Sequence, residues 1–188
     1  MKVVLASESQ SRKRALDLLG IAYEVCPSAL DEKSIRAADP AVLTRNLAEA
    51  KAWKVAGAFQ DAVVVAGDAV VAKEGRIFEK PRNLEEAFAF LRELSGSVLQ
   101  FVTSLVVLHS GTRKMLSSVD ISEIRFRPLL DREIRDYVRR HPVLQYAGAF
   151  DGDGVLRFGE SISGSCNIFT AMPVSKLAVF LREQGIEV

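Results

Sequence analysis

At 188 residues, 48% hydrophobic and 26% charged, the chain has the composition of a globular protein able to bury a real core, as one domain over residues 1–188 or a domain with a smaller lobe. Its 25 basic and 24 acidic residues leave a net charge of +1, which excludes a polycation that holds nucleic acid by counterion release and makes any anion site a local one. Apolar runs such as "DAVVVAG" are too short to span a bilayer and "MKVVLASESQ" lacks a leader's apolar region, so a cytoplasmic protein with neither membrane nor nucleic-acid partner is expected.

In chain order, "KVVLA" predicts a strand and "RKRALDLLG" a helix stopped by Gly20. "AYEVCP" predicts a second strand leading to an acidic turn at Asp31 and Glu32. Asp39 then caps a long helix with Pro40 at its first position. "DAVVVAG" reads as a buried strand ending at Asp68, followed by a small hairpin that turns at Glu74-Gly75. Asn83 and Glu86 form a capping-box pair for the helix "LEEAFAFLREL". Two long strands, "VLQFVTSLVVL" and "KMLSSVDISEIRFRPL", precede the helix "DREIRDYVRR", which Pro142 ends. The Gly-rich "YAGAFDGDG" is expected to lead into another strand pair, and the closing helix runs from Pro173 to Gly185. The whole is an α/β protein: a mixed twisted sheet with flanking helices and a second smaller lobe, with a cleft between them.

Cys26 and Cys166 lack CxxC spacing and His109 and His141 lie far apart, so buried thiols and incidental histidines are expected, with no zinc site. Between Ser7 and Arg14 three serines and three basic residues gather where a strand gives way to a helix. That arrangement suits either an anion held by backbone N–H groups and cations or a Ser-capped, solvated helix start. It contains no glycine, so it matches neither of the usual Gly-rich phosphate loops. Asp68 either caps a turn or places a carboxylate at the mouth of a sheet crevice. Lys51 and Lys80 are lone lysines, a type normally turned to solvent, and Trp53 reads as packing. Taken together, three basic places and two carboxylate places describe a site for a polyphosphate with its Mg²⁺.

These segments resemble the Maf family of nucleoside triphosphate pyrophosphatases, also known as septum formation proteins. "LASESQSRKRALDLLG" is similar to the family's LASxSPRRxxLLxxLG, "LAEAKA" to LAxxKA, and "VVVAGDAVVAKEGRIFEKPRN" to VIGADTVVxxxGxILxKPxx. "LDE" is similar to the family's acidic turn, and "YAGAF" and "GSCNIFTAMPVSKL" follow in family order. The resemblance implies a house-cleaning enzyme that hydrolyses a nucleoside triphosphate to the monophosphate and pyrophosphate with a divalent cation, Mg²⁺ or Mn²⁺. It implies catalytic and metal-binding roles for Asp68 and Glu32, and phosphate contacts from Ser7, Ser9, Arg12, Lys51 and Lys80. Gln10, Ser11, Ala69, Ser104 and Tyr146 depart from the family pattern, and the cation lost at Ser11 and the polar group lost at Ala69 bear on substrate choice and turnover. "YVRRHPVLQYAGAFDGDG" leans toward the branch acting on 7-methyl-GTP, with Asp153 placed to read a cationic base, while dTTP and UTP are the alternative. A non-catalytic nucleotide-binding regulator of cell division is the reading from another class. The sequence leaves a homodimer open.

Overall fold

A computed structural model describes all residues 1–188. Its strands are β1 (Lys2–Leu5), β2 (Glu24–Val25), β3 (Ala62–Lys73), β4 (Arg76–Phe78), β5 (Val98–His109), β6 (Met115–Phe126) and β7 (Gly159–Gly164). The helices are α1 (Gln10–Asp17), α2 (Pro40–Ala56), α3 (Leu84–Leu94), α4 (Asp131–Arg140), α5 (Gly152–Phe158) and α6 (Val174–Glu183). The strands form one seven-stranded mixed sheet in the order β2-β1-β3-β5-β6-β7, with β4 pairing β3 off that path. No helix is long and apolar enough to cross a membrane.

The chain divides into two compact units. The first holds residues 1–69, 103–120 and 170–188, and the second, smaller one holds 70–102 and 121–169. In the first unit β1 pairs in parallel with both β2 and β3, so both sheet faces must be covered, and the period of two divides the side chains between them. Val3, Leu5, Val63, Val65, Leu105 and Val107 face one way, against Leu16 of α1 and Leu177 and Leu181 of α6. Val4, Val64, Ala66, Val106 and Leu108 face the other, against Ala48, Ala52 and Val55 of α2. The small residues on α2 let the helix lie close to the sheet. Asp39 starts it as expected, its Oδ1 accepting from the N–H groups of Ala41 (2.7 Å) and Val42 (2.9 Å).

In the second unit the core is aromatic: Phe126 meets Phe150 and Phe158 edge-on, and Tyr137 of α4 meets Phe158. The expected strand pair after "YAGAFDGDG" is instead the short helix α5 followed by the single strand β7. Asp151 begins α5 by accepting from the N–H of Gly154 (3.0 Å) and the hydroxyl of Tyr137 (2.9 Å). A Cβ on Gly154 would lie 2.6 Å from the Tyr137 oxygen, so glycine is what allows the two helices to approach. The capping box at α3 is also altered. Asn83 Oδ1 accepts from Glu86 N–H, whereas the Glu86 carboxylate turns to the N–H and guanidinium of Arg82. The second strand shrinks to Glu24–Val25, and Cys166 is exposed rather than buried, with Cys26 half-buried.

Candidate active site

β3 does not end at Asp68 as the sequence suggested; apolar residues on both sides carry it on to Lys73. Asp68 therefore lies within a long strand, and register fixes its direction. It has the parity of Val64 and Ala66, whose side chains meet α2. On α2, Lys51 falls between Ala48 and Ala52 on the buried face, three and four residues being one helical turn. The lysine expected in solvent is thus only 6% exposed, as is Asp68. Lys51 Nζ donates to Asp68 Oδ1 at 2.6 Å and lies 2.9 Å from Glu32 Oε1.

Glu32 opens a short 3₁₀ turn over Glu32–Ser34, whose first N–H groups are organised by Asp31, with Lys33 N–H donating to Asp31 Oδ1 at 3.2 Å. The Glu32 side chain is half exposed, so the Lys51 ammonium joins one buried carboxylate to one that faces solvent.

Arg12 lies in the first turn of α1, one turn before the buried pair Ala15 and Leu16, and is held inward with them. Its Nη1 donates to Ser7 Oγ at 3.2 Å, and the same oxygen accepts the Ser9 N–H at 3.2 Å. Ser9 is the N-cap of α1 by backbone position, yet its side chain makes no capping bond. Arg12 Nε is buried without a hydrogen-bond partner. It sits over Gly67, where a Cβ would lie 3.5 Å from it and 2.7 Å from the Ser104 carbonyl oxygen. Glycine is required at this strand position by close approach rather than by backbone dihedral.

Burial pushes the Asp68 carboxyl above its ordinary range, while Lys51 and Arg12 pull it back and Glu32 adds to the rise. Burial likewise draws the Arg12 guanidinium down, with Asp68 and Glu32 opposing. An arginine stays charged nonetheless. The first unit therefore brings together Ser7, Arg12, Glu32, Lys51 and Asp68: two cations and two carboxylates, with one strong donor unsatisfied. Asp68 and Glu32 carry hard carboxylate oxygens of the kind Mg²⁺ and Mn²⁺ take. No cluster of three or more acidic, His or Cys side chains gathers here. The set fits a hexacoordinate cation that draws its other ligands from water and phosphate, as Mg²⁺ commonly does.

Lys80 and Asp153 belong to the second unit. Lys80 is exposed in the segment after β4, and Asp153 is exposed in the first turn of α5. With Asp151, Asp153 contributes to raising the Tyr146 hydroxyl above its ordinary value, behind the larger effect of burial. Sequence reasoning missed Ser104 and Thr44 as parts of the site's framework. Ser104 Oγ donates to the Thr44 carbonyl at 2.7 Å and accepts the Asp68 N–H at 3.2 Å. The available signal was a serine at a position where the resemblance has glycine.

A mixed sheet with a parallel three-stranded part and flanking helices, carrying buried paired charges beside a basic helix start, defines an α/β protein. The chain belongs to the Maf-like protein family, whose profile it matches over residues 2–184. It is 33% identical over 187 residues to a protein of Carboxydothermus hydrogenoformans named dTTP/UTP pyrophosphatase, covering 98% of this chain and 100% of that one. Proteins of the same name from Pelotomaculum thermopropionicum (32% identity; 100% of this chain, 98% of the relative) and Aquifex aeolicus (36%; 99% and 97%) are similar along their length. Among solved structures, a HAM1 protein from Coxiella burnetii aligns with a TM-score of 0.49 at 15% identity, covering 97% of this chain and 99% of that one.

Proposed function

We propose that this protein is a divalent-cation-dependent nucleoside triphosphate pyrophosphatase whose preferred substrates are dTTP and UTP. The observation that carries the reading is the buried Lys51 ammonium held between Asp68 and Glu32, with Arg12 and its unsatisfied Nε beside them. Two carboxylates already pair the Lys51 ammonium, whereas a buried guanidinium N–H left without a partner is costly unless an acceptor completes it. The names of the relatives favour the pyrimidine nucleotides over the 7-methyl-GTP expected from "YAGAFDGDG".

In the reaction, Arg12, Lys51 and the Ser7–Ser9 loop hold the triphosphate and offset its charge. Asp68 and Glu32 would hold the divalent cation, which would supply positive charge to offset the negative charge on the phosphate oxygens. Asp68 orients water and takes its proton as the water oxygen bonds to phosphorus. The bridging P–O bond between the α- and β-phosphates breaks, and pyrophosphate leaves. A carboxyl raised by burial is better matched to this task near neutral pH than a solvated aspartate.

The test is pyrophosphate release, coupled to an inorganic pyrophosphatase, over dTTP, UTP, GTP and 7-methyl-GTP with Mg²⁺ or Mn²⁺. The reading expects phosphate only when the coupling enzyme is present, with the highest kcat/KM for dTTP or UTP. Phosphate appearing without the coupling enzyme would overturn the bond assignment. A preference for 7-methyl-GTP would overturn the substrate assignment.

A further inference from the structure

We propose that Ser104 is a positioning residue that fixes Asp68 relative to Lys51 through a single buried hydroxyl, an inference that rests on the activity proposed above. Ser104 lies on β5 with the parity of Val106 and Leu108, so its side chain is on the sheet face covered by α2. It is fully buried. A hydroxyl has one proton to give and lone pairs to accept. Here the proton goes to the Thr44 carbonyl of α2 at 2.7 Å, and a lone pair accepts the Asp68 N–H of β3 at 3.2 Å. The Asp68 carbonyl, 3.5 Å away, is the weaker competitor for that proton.

Thr44 lies two helical turns before Lys51 on the same face of α2. One oxygen thus links the backbone carrying the carboxylate to the backbone carrying the ammonium, and these two charges meet at 2.6 Å. Thr44 is itself tied down, its Oγ1 donating back to the carbonyls of Pro40 (3.0 Å) and Ala41 (3.2 Å). The link sits where β3 and β5 pinch together, since a Cβ on the neighbouring Gly67 would collide with the Ser104 carbonyl. Glycine or alanine at position 104 removes the acceptor from a buried N–H and the extra donor from a helix carbonyl. Both backbones can then drift, and the carboxylate drifts with them.

The experiment compares Ser104→Ala, Ser104→Gly and Ser104→Thr with the wild-type protein, each checked by circular dichroism. Two quantities are read: steady-state kinetics with dTTP and Mg²⁺, and amide hydrogen exchange at Asp68 in the nucleotide-free protein. Ser104→Ala and Ser104→Gly should lower kcat by about tenfold, the lower end of what supporting shells contribute, with KM within about twofold. Their Asp68 amide should exchange faster, and Ser104→Thr should restore both readouts. Unchanged kcat in Ser104→Ala, a loss carried by KM alone, unaltered exchange at Asp68, or equal impairment of the Ala and Thr variants would overturn the proposal. A wild-type protein with no pyrophosphatase activity would instead overturn the activity reading and the kinetic half of this one, leaving amide exchange to decide the tie itself.

Discussion

At the scale of single residues the site is governed by what each charge loses on burial. Asp68→Asn keeps the volume but removes the base and one oxygen charge. Hydrolysis should fall by about 10²-fold or more, measured as kcat with the fold verified by circular dichroism; near wild-type turnover would remove Asp68 from the chemistry. Gly67→Ala tests a different contact. The added methyl would lie 2.7 Å from the Ser104 carbonyl and 3.5 Å from Arg12 Nε. Overpacking of this kind costs about 1–3 kcal/mol, so a lower melting temperature should accompany lost activity. A variant with unchanged stability and turnover would show that β3 and β5 have slack here. Asp68 and the basic helix start were legible in the sequence because their residue types stood out against an apolar setting. The burial of Lys51 was not, since nothing local distinguishes a lysine facing a carboxylate from one facing water. Its place between Ala48 and Ala52 is the clue, and it gains meaning only once the sheet face opposite is known.

At the scale of elements, a local signal held at the start of α2. Asp39 followed by Pro40 gave the start of α2, and Asp39→Ala should cost about 1 kcal/mol through two lost capping bonds, lowering the melting temperature by about 2–4 °C. Because Thr44 and Lys51 ride on the same helix, some loss of kcat should accompany it. α5 illustrates the opposite case. "GDGVLRF" carries two glycines and a poor helical propensity, and it becomes helical because Asp151 caps it and Gly154 lets it rest on Tyr137. Tertiary contact overrides propensity there, and no reading of the segment alone would find it. β3 likewise ran past Asp68 because "AVVA" continues the apolar pattern after the charge. Arg127 grips the Glu133 carboxylate through Nη1 (3.0 Å) and Nη2 (2.7 Å), and the Leu130 N–H donates to it at 3.0 Å. These bonds hold the Glu133 carboxyl down at about 2 against its ordinary 4.5. The native state thus binds this proton less tightly than the unfolded chain, so the stability it contributes is complete above pH 4.5 and is lost as pH falls toward 2. Thermal melts in that window should show a steeper acid decline for wild type than for Glu133→Gln, and equal slopes would assign the decline to other groups.

At the scale of the whole molecule, a net charge of +1 leaves little long-range field to gather an anion, so binding must come from the few charges folding brings together. The parallel strands β2, β1 and β3 require cover on both faces, and that requirement puts α1 with Arg12 on one side and α2 with Lys51 on the other. A ligand that completes these charges should stabilise the native chain by mass action. A non-hydrolysable dTTP analogue with Mg²⁺ at a hundred times its Kd contributes about 2.7 kcal/mol. For a chain of this length that is a rise of about 5–10 °C in melting temperature. Thymidine, which lacks the phosphates, should give little of it, and Arg12→Ala should remove much of the analogue's effect while leaving thymidine's unchanged. Because the charges that meet the phosphates are largely buried, the shift should persist when salt is raised at saturating ligand. A stabilisation equal for thymidine and the triphosphate analogue would mean that the base rather than the phosphate chain drives binding. A shift abolished by moderate salt would place the anion on the exposed surface instead of against Arg12 and Lys51.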